Sequence, residues 1–155
     1  GGGGDDFDFQ SVEGSWLNDA VRGSGILFDY GPSIDQMFVT WVTHTVDREI
    51  PTDPPPADDI GFTGHRWVNA LLTLDGNVAT GDMFVVEGGQ FDTPADDNQR
   101  SRVIGNITVT FSSCNSGVFE YTFDAPINRS GSFDIVQLES VVSPGFSCGE
   151  MTETQ

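Results

Sequence analysis

The sequence predicts an all-β fold, an antiparallel meander of about eight to ten strands closed as an up-and-down barrel or a barrel-like sandwich. Three observations carry that expectation. Apolar and polar residues alternate with a period of two along the longest patterned stretches; short turn signals separate one stretch from the next; and no stretch combines the 3.6-residue period with helix-forming composition. Closure is expected because a meander left open would expose two hydrogen-bonding edges.

The clearest element is the hairpin in residues 102–123, RVIGNITVTFSSCNSGVFEYTF. Ile107, Val109 and Phe111 alternate with Thr108, Thr110 and Ser112, and Phe119, Tyr121 and Phe123 alternate with Glu120, Thr122 and Asp124. Each arm therefore has one apolar and one polar face. Cys114, Asn115, Ser116 and Gly117 supply the reversal, with Gly117 the expected site of positive φ.

The remaining elements follow in chain order. Residues 1–12 read as a Gly/Asp-rich tether in which Phe7, Phe9 and Val12 form a short strand, free to pair outside its own domain. Two strands around Trp16 and Phe28 are joined by a glycine-rich reversal, and Gly31 and Pro32 mark a turn. The run MFVTWVTHTV, residues 37–46, is aromatic and β-branched throughout and reads as a long strand. Four prolines in residues 47–59 keep that stretch out of any ladder, because proline lacks the amide donor, so it reads as an exposed loop. Strand character resumes over residues 64–74, and Asp75, Gly76 and Asn77 form a tight turn into the next strand. A strand around residues 83–86, a polar loop over 88–100, the hairpin and a last strand over 132–142 complete the domain, set at residues 13–148, with an acidic tail at 149–155.

Composition limits the function. The chain has 155 residues, enough for one domain that buries roughly two-thirds of its unfolded surface. Twenty-four acids face six arginines and no lysine, a formal charge of −18. Such a surface repels nucleic-acid phosphates and anionic lipid headgroups, and it suits a basic protein partner or a divalent cation. The two cysteines, Cys114 and Cys148, lack metal-site spacing and read as a disulfide, worth about 3–4 kcal/mol in the chain-entropy model and implying an extracytoplasmic, secreted or surface location. The glycine run followed by aspartates resembles the tether behind the acylated cysteine of bacterial lipoproteins, which makes a lipid anchor the expected route to any membrane.

The landmarks Gly14-x-Trp16-x-Asn18, Gly23-x-Gly25, Met37-Phe38-Val39-x-Trp41, Gly64-x-x-Trp67, Gly88-Gly89-x-Phe91, Phe111-x-x-Cys114-Asn115-Ser116-Gly117 and Gly131-Ser132 resemble a Trp- and Gly-rich all-β domain of secreted and surface proteins of Gram-negative bacteria. The resemblance implies a binding or structural module without catalytic activity. The Gly-x-Trp-x-Asn opening also resembles that of the avidin barrel, over too short a stretch to imply a biotin site.

The chemistry-bearing residues agree. His44 and His65 are the only histidines, and no Gly-x-Ser-x-Gly elbow accompanies them, so they are expected to be ordinary strand residues and the chain no enzyme. Acidic pairs at Asp5-Asp6, Asp58-Asp59 and Asp96-Asp97 offer oxygen ligands for Ca²⁺, but none has EF-hand spacing, and no cofactor is expected beyond that ion. Trp16, Trp41 and Trp67 are either core or flat faces on which a sugar ring stacks. Two function classes follow. The first is a surface or filament subunit, assembled with other copies or a protein partner through Phe7, Phe9 and Val12 by strand addition. The second is a lipid-anchored monomer that binds a glycan or small ligand.

Overall fold

The computed structural model of the protein describes residues 7–44, 65–143 and 145. Among these residues lie eight strands: β1 (Gly14–Leu17), β2 (Gly25–Gly31), β3 (Gln36–His44), β4 (His65–Asp75), β5 (Val78–Glu87), β6 (Arg100–Ser113), β7 (Ser116–Phe123) and β8 (Arg129–Gln137). Each pairs antiparallel with its sequence neighbours, and β1 pairs with β8 at Trp16↔Gln137 and Leu17↔Val136, so the meander closes into an up-and-down barrel.

Hairpin connections alternate between the two ends. Turns after β2, β4 and β6 gather at one end; residues 18–24, 88–99 and 124–128, with the last residue of β3 and the first of β4, gather at the other. Alternation aims Met37, Val39 and Trp41 of β3 and Val68, Ala70 and Leu72 of β4 inward, where all six are buried. Eight strands enclose an interior that side chains can fill. Outward positions on β6 to β8 are largely polar, as where the Thr80 and Thr108 hydroxyls meet at 2.9 Å across β5 and β6. On β2 to β6 the outer wall also carries exposed apolar side chains, among them Leu27, Phe38 and Leu71.

Three local expectations are corrected. Residues 7–12 do not form a strand. Phe9–Val12 is a 3-10 turn, capped where the Gln10 amide donates to the Asp8 carboxylate at 3.1 Å. The i, i+3 spacing of Phe9 and Val12 sets both on the side of the turn that faces the barrel end, and both are buried there. The last strand stops at Gln137, and Leu138–Val142 is a short helix, α1. Its backbone is satisfied locally, with the Ser143 amide donating to the Glu139 carbonyl at 3.0 Å and the Ser140 hydroxyl to that of Gln137 at 2.7 Å. Gly117, expected in the turn at positive φ, lies inside β7 opposite Phe111, and a Cβ there would press on the Thr110 carbonyl and the Phe111 ring. Close approach, not chain reversal, calls for that glycine.

Candidate ligand-binding cup

The two barrel ends are filled differently. At the first, Phe7 stacks on Phe111 at 5.3 Å, Phe9 and Trp16 meet the same ring edge-on at 5.9 and 5.4 Å, and Trp16 Nε1 donates to the Val12 carbonyl at 2.8 Å. The N-terminal turn is thus locked over the barrel as a plug. The other end has no such plug among the described residues. Trp41 sits there, 4% exposed, with Phe119, Tyr121 and Phe133 at 4.9, 5.4 and 5.9 Å from its ring. Phe119 and Phe133 oppose each other across β7 and β8 and stack at 4.9 Å. Tyr121 faces Gly131, and any side chain at Gly131 would strike the Tyr121 phenol. Glycine there lets the tyrosine ring lie across the neighbouring strand and form part of the wall.

Trp41, Tyr121, Phe123 and Phe133 line a cavity of about 390 Å³, open at the barrel end, whose rim carries Asn18, Ser24, Thr43, His44, Arg129 and Ser132. Trp41 Nε1 is buried and has no hydrogen-bond partner among the described residues. A buried donor left unmade costs about 1–3 kcal/mol, so such a group calls for an acceptor.

A second cavity, of about 420 Å³, adjoins the first and shares Thr43, His44 and Phe123 with it. It occupies a gap in the barrel wall. Pairing of β4 with β5 runs from Asp75↔Val78 to Asn69↔Phe84 and stops, so residues 65–68 and 85–87 splay apart toward the open end. Arg66, Val68, Val85, Ile104 and Arg102 line the gap from the barrel side, and Trp67 and Val86 border it from outside. Arg102 grips the Glu87 carboxylate with Nη2 at 2.9 Å and Nε at 3.3 Å. That hydrogen bond holds the Glu87 carboxyl below its ordinary value, and the charges of Arg102, Arg100 and Arg66 act in the same direction; the Glu87 bond in turn raises Arg102.

The structure separates residues that the sequence grouped. Trp16, 1% exposed, is the lock of the closed end; Trp41 lines the cup; Trp67, 60% exposed, stands on the outer wall beside the gap. Phe9 and Val12, with Phe7 packed against them, serve this chain's own core. Cys114 is buried at the β6–β7 turn; its expected partner Cys148 lies outside the described residues, as do Asp5, Asp6, Asp58, Asp59, residues 149–155 and the proline-rich stretch 47–59. Asp96 spends a carboxylate oxygen on the Asn98 amide at 2.8 Å, and no group of three or more metal-ligating side chains occurs among the described residues. His44 and His65 oppose each other across β3 and β4, with ring centroids 5.8 Å apart.

The sequence reading passed over Phe133 and the arginines as site residues. Phe133 falls within the last strand expected over residues 132–142, and its position at the open end follows only from strand direction. No family model, curated protein or solved structure matches the chain.

Proposed function

We propose that the protein is a non-catalytic binding module whose open end takes a small ligand with a flat apolar face. The observation that carries this reading is Trp41, which lines an aromatic cup with its Nε1 donor unpartnered among the described residues. Cups of a few hundred Å³, apolar with a few convergent polar groups, are the usual form of small-molecule sites, and eight-strand barrels are able to hold one such ligand. The neutral fluorophore N-phenyl-1-naphthylamine tests it. Saturable binding is expected, weakened by Phe133→Ala and left intact by Phe7→Ala at the closed end. Binding that never saturates, or that ignores Phe133, would defeat the reading.

A second reading, an assembly subunit, draws on a different surface from the N-terminal segment. Leu27, Phe38, Leu71, Trp67, Val86 and Val103 are apolar, exposed and carried by five consecutive strands, β2 to β6. An exposed apolar area of that extent is a usual mark of a protein interface. Sedimentation velocity should then show self-association or partner binding that Trp67→Ser abolishes. Both readings set the protein outside the cytoplasm, with Cys114 bonded to Cys148, in keeping with the resemblance to secreted Trp- and Gly-rich domains. Alkylation of the denatured, unreduced chain should add nothing to either cysteine.

A further inference from the structure

The distribution of positive charge extends the cup reading. The chain has 24 acids and six arginines, yet every described arginine lies at the open end: Arg22 in the loop 18–24, Arg66 at the start of β4, Arg100 and Arg102 at the start of β6, and Arg129 at the start of β8. Arg48 lies outside the described residues. At the closed end stand Asp8, Glu13, Asp35, Asp75 and Glu139, with no described arginine among them, while Asp19, Glu87, Asp92, Asp96, Asp97 and Asp124 share the open end with the arginines.

The contrast sharpens at the cavity walls. Arg66, Arg102 and Arg129 line the two adjoining cavities, and among the described residues Glu87 is the one acid that lines either. The described lining thus runs opposite to the fourfold excess of acid in the whole chain. Arg66 shares the inward strand face with Val68, and Arg102 shares it with Ile104, so both guanidinium groups are carried toward the opening. Glu87 is engaged by Arg102 and lies within the field of Arg66 and Arg100, so it is outnumbered where it stands. The chain's total of −18 does not settle the matter, because charges beyond about 8 Å are screened at physiological ionic strength and a ligand in the gap is governed by its nearest neighbours.

Resting on the cup as the binding site, we infer that its ligand is an amphipathic organic anion, with its apolar body against Trp41, Tyr121 and Phe133 and its oxyanion head in the β4–β5 gap beside Arg66 and Arg102. The planar guanidinium fork matches carboxylate, sulfonate and phosphate oxygens in pairs. The shared lining residues Thr43, His44 and Phe123 set the two cavities side by side, within reach of the two ends of such a molecule.

The test uses the full chain and two probes with one ring system, neutral N-phenyl-1-naphthylamine and anionic 8-anilinonaphthalene-1-sulfonate, each titrated to a Kd by fluorescence. The sulfonate should bind several-fold more tightly. Arg66→Gln and Arg102→Gln should each loosen it about fivefold, the scale of one partly exposed ion pair, while moving the neutral probe less than twofold. Glu87→Gln should tighten the sulfonate, a change that a merely structural role for the ion pair would not give. Equal affinities for the two probes, with the sulfonate indifferent to all three substitutions, overturn the anionic ligand and leave the cup standing. Failure of both probes to saturate overturns the cup and the anion together.

Discussion

The two ends of the barrel are built from the same residue types and finished in opposite ways. At the closed end Trp16 has its indole donor bonded to Val12 and its ring against Phe111, and the N-terminal turn covers them. At the open end Trp41 is likewise surrounded by aromatic rings, yet its donor is unbonded among the described residues and its ring borders open space. Aromatic clustering therefore does not distinguish a core from a binding surface. The indole donors differ at these two tryptophans, bonded beneath the plug and without a described partner in the cup, although Gln137 Oε1, opposite Trp16, is also buried without one.

Substitutions can break that contrast, and the largest effect belongs to the ring on which the plug rests. Phe111→Ala should lower stability by about 3–5 kcal/mol, read as the shift in a urea denaturation midpoint, because Phe7, Phe9, Trp16 and Phe28 all lose their common partner. Next comes Trp16→Phe, which keeps a ring but strands the Val12 carbonyl; about 2 kcal/mol of loss is expected in the same assay. The identical change at the other end, Trp41→Phe, removes a donor that no described group accepts, so it should cost less than about 1 kcal/mol. Equal losses for the two tryptophans would erase the distinction between the ends.

The smallest effect concerns the rim. Arg102→Gln should leave the denaturation midpoint almost unchanged, since exposed ion pairs contribute little. Its signature is the titration of Glu87. In the native protein that carboxyl is held below its ordinary value, so its contribution to stability is full above the unfolded value and fades as the pH falls through the folded one. An NMR titration should place the Glu87 midpoint below 4.5, and in the variant the midpoint should move back toward that value.

The barrel was legible in the sequence because period-two alternation fixes which residues face inward, and the turn residues fix where the chain reverses. Phe119, Tyr121 and Phe123 were read as inward-facing on that ground. Phe119 and Phe123 are buried, while Tyr121 is only partly covered and lines the cup. The plug was not legible, because Phe7 and Phe9 also alternate, and the period alone does not tell a short strand from a 3-10 turn capped by Asp8. The site was hidden for another reason. Arg66, Arg102 and Arg129 are scattered along the sequence and meet only because odd-numbered reversals all arrive at one end of a meander.

The incomplete seam between β4 and β5 has a mechanical meaning. Each of the two lips keeps its other neighbour, residues 65–68 remaining laddered to β3 and 85–87 to β6, so parting them further breaks no ladder. A cylinder unzipped along one staff is a sleeve with a vent, each lip of which is still stitched to the rest of the weave.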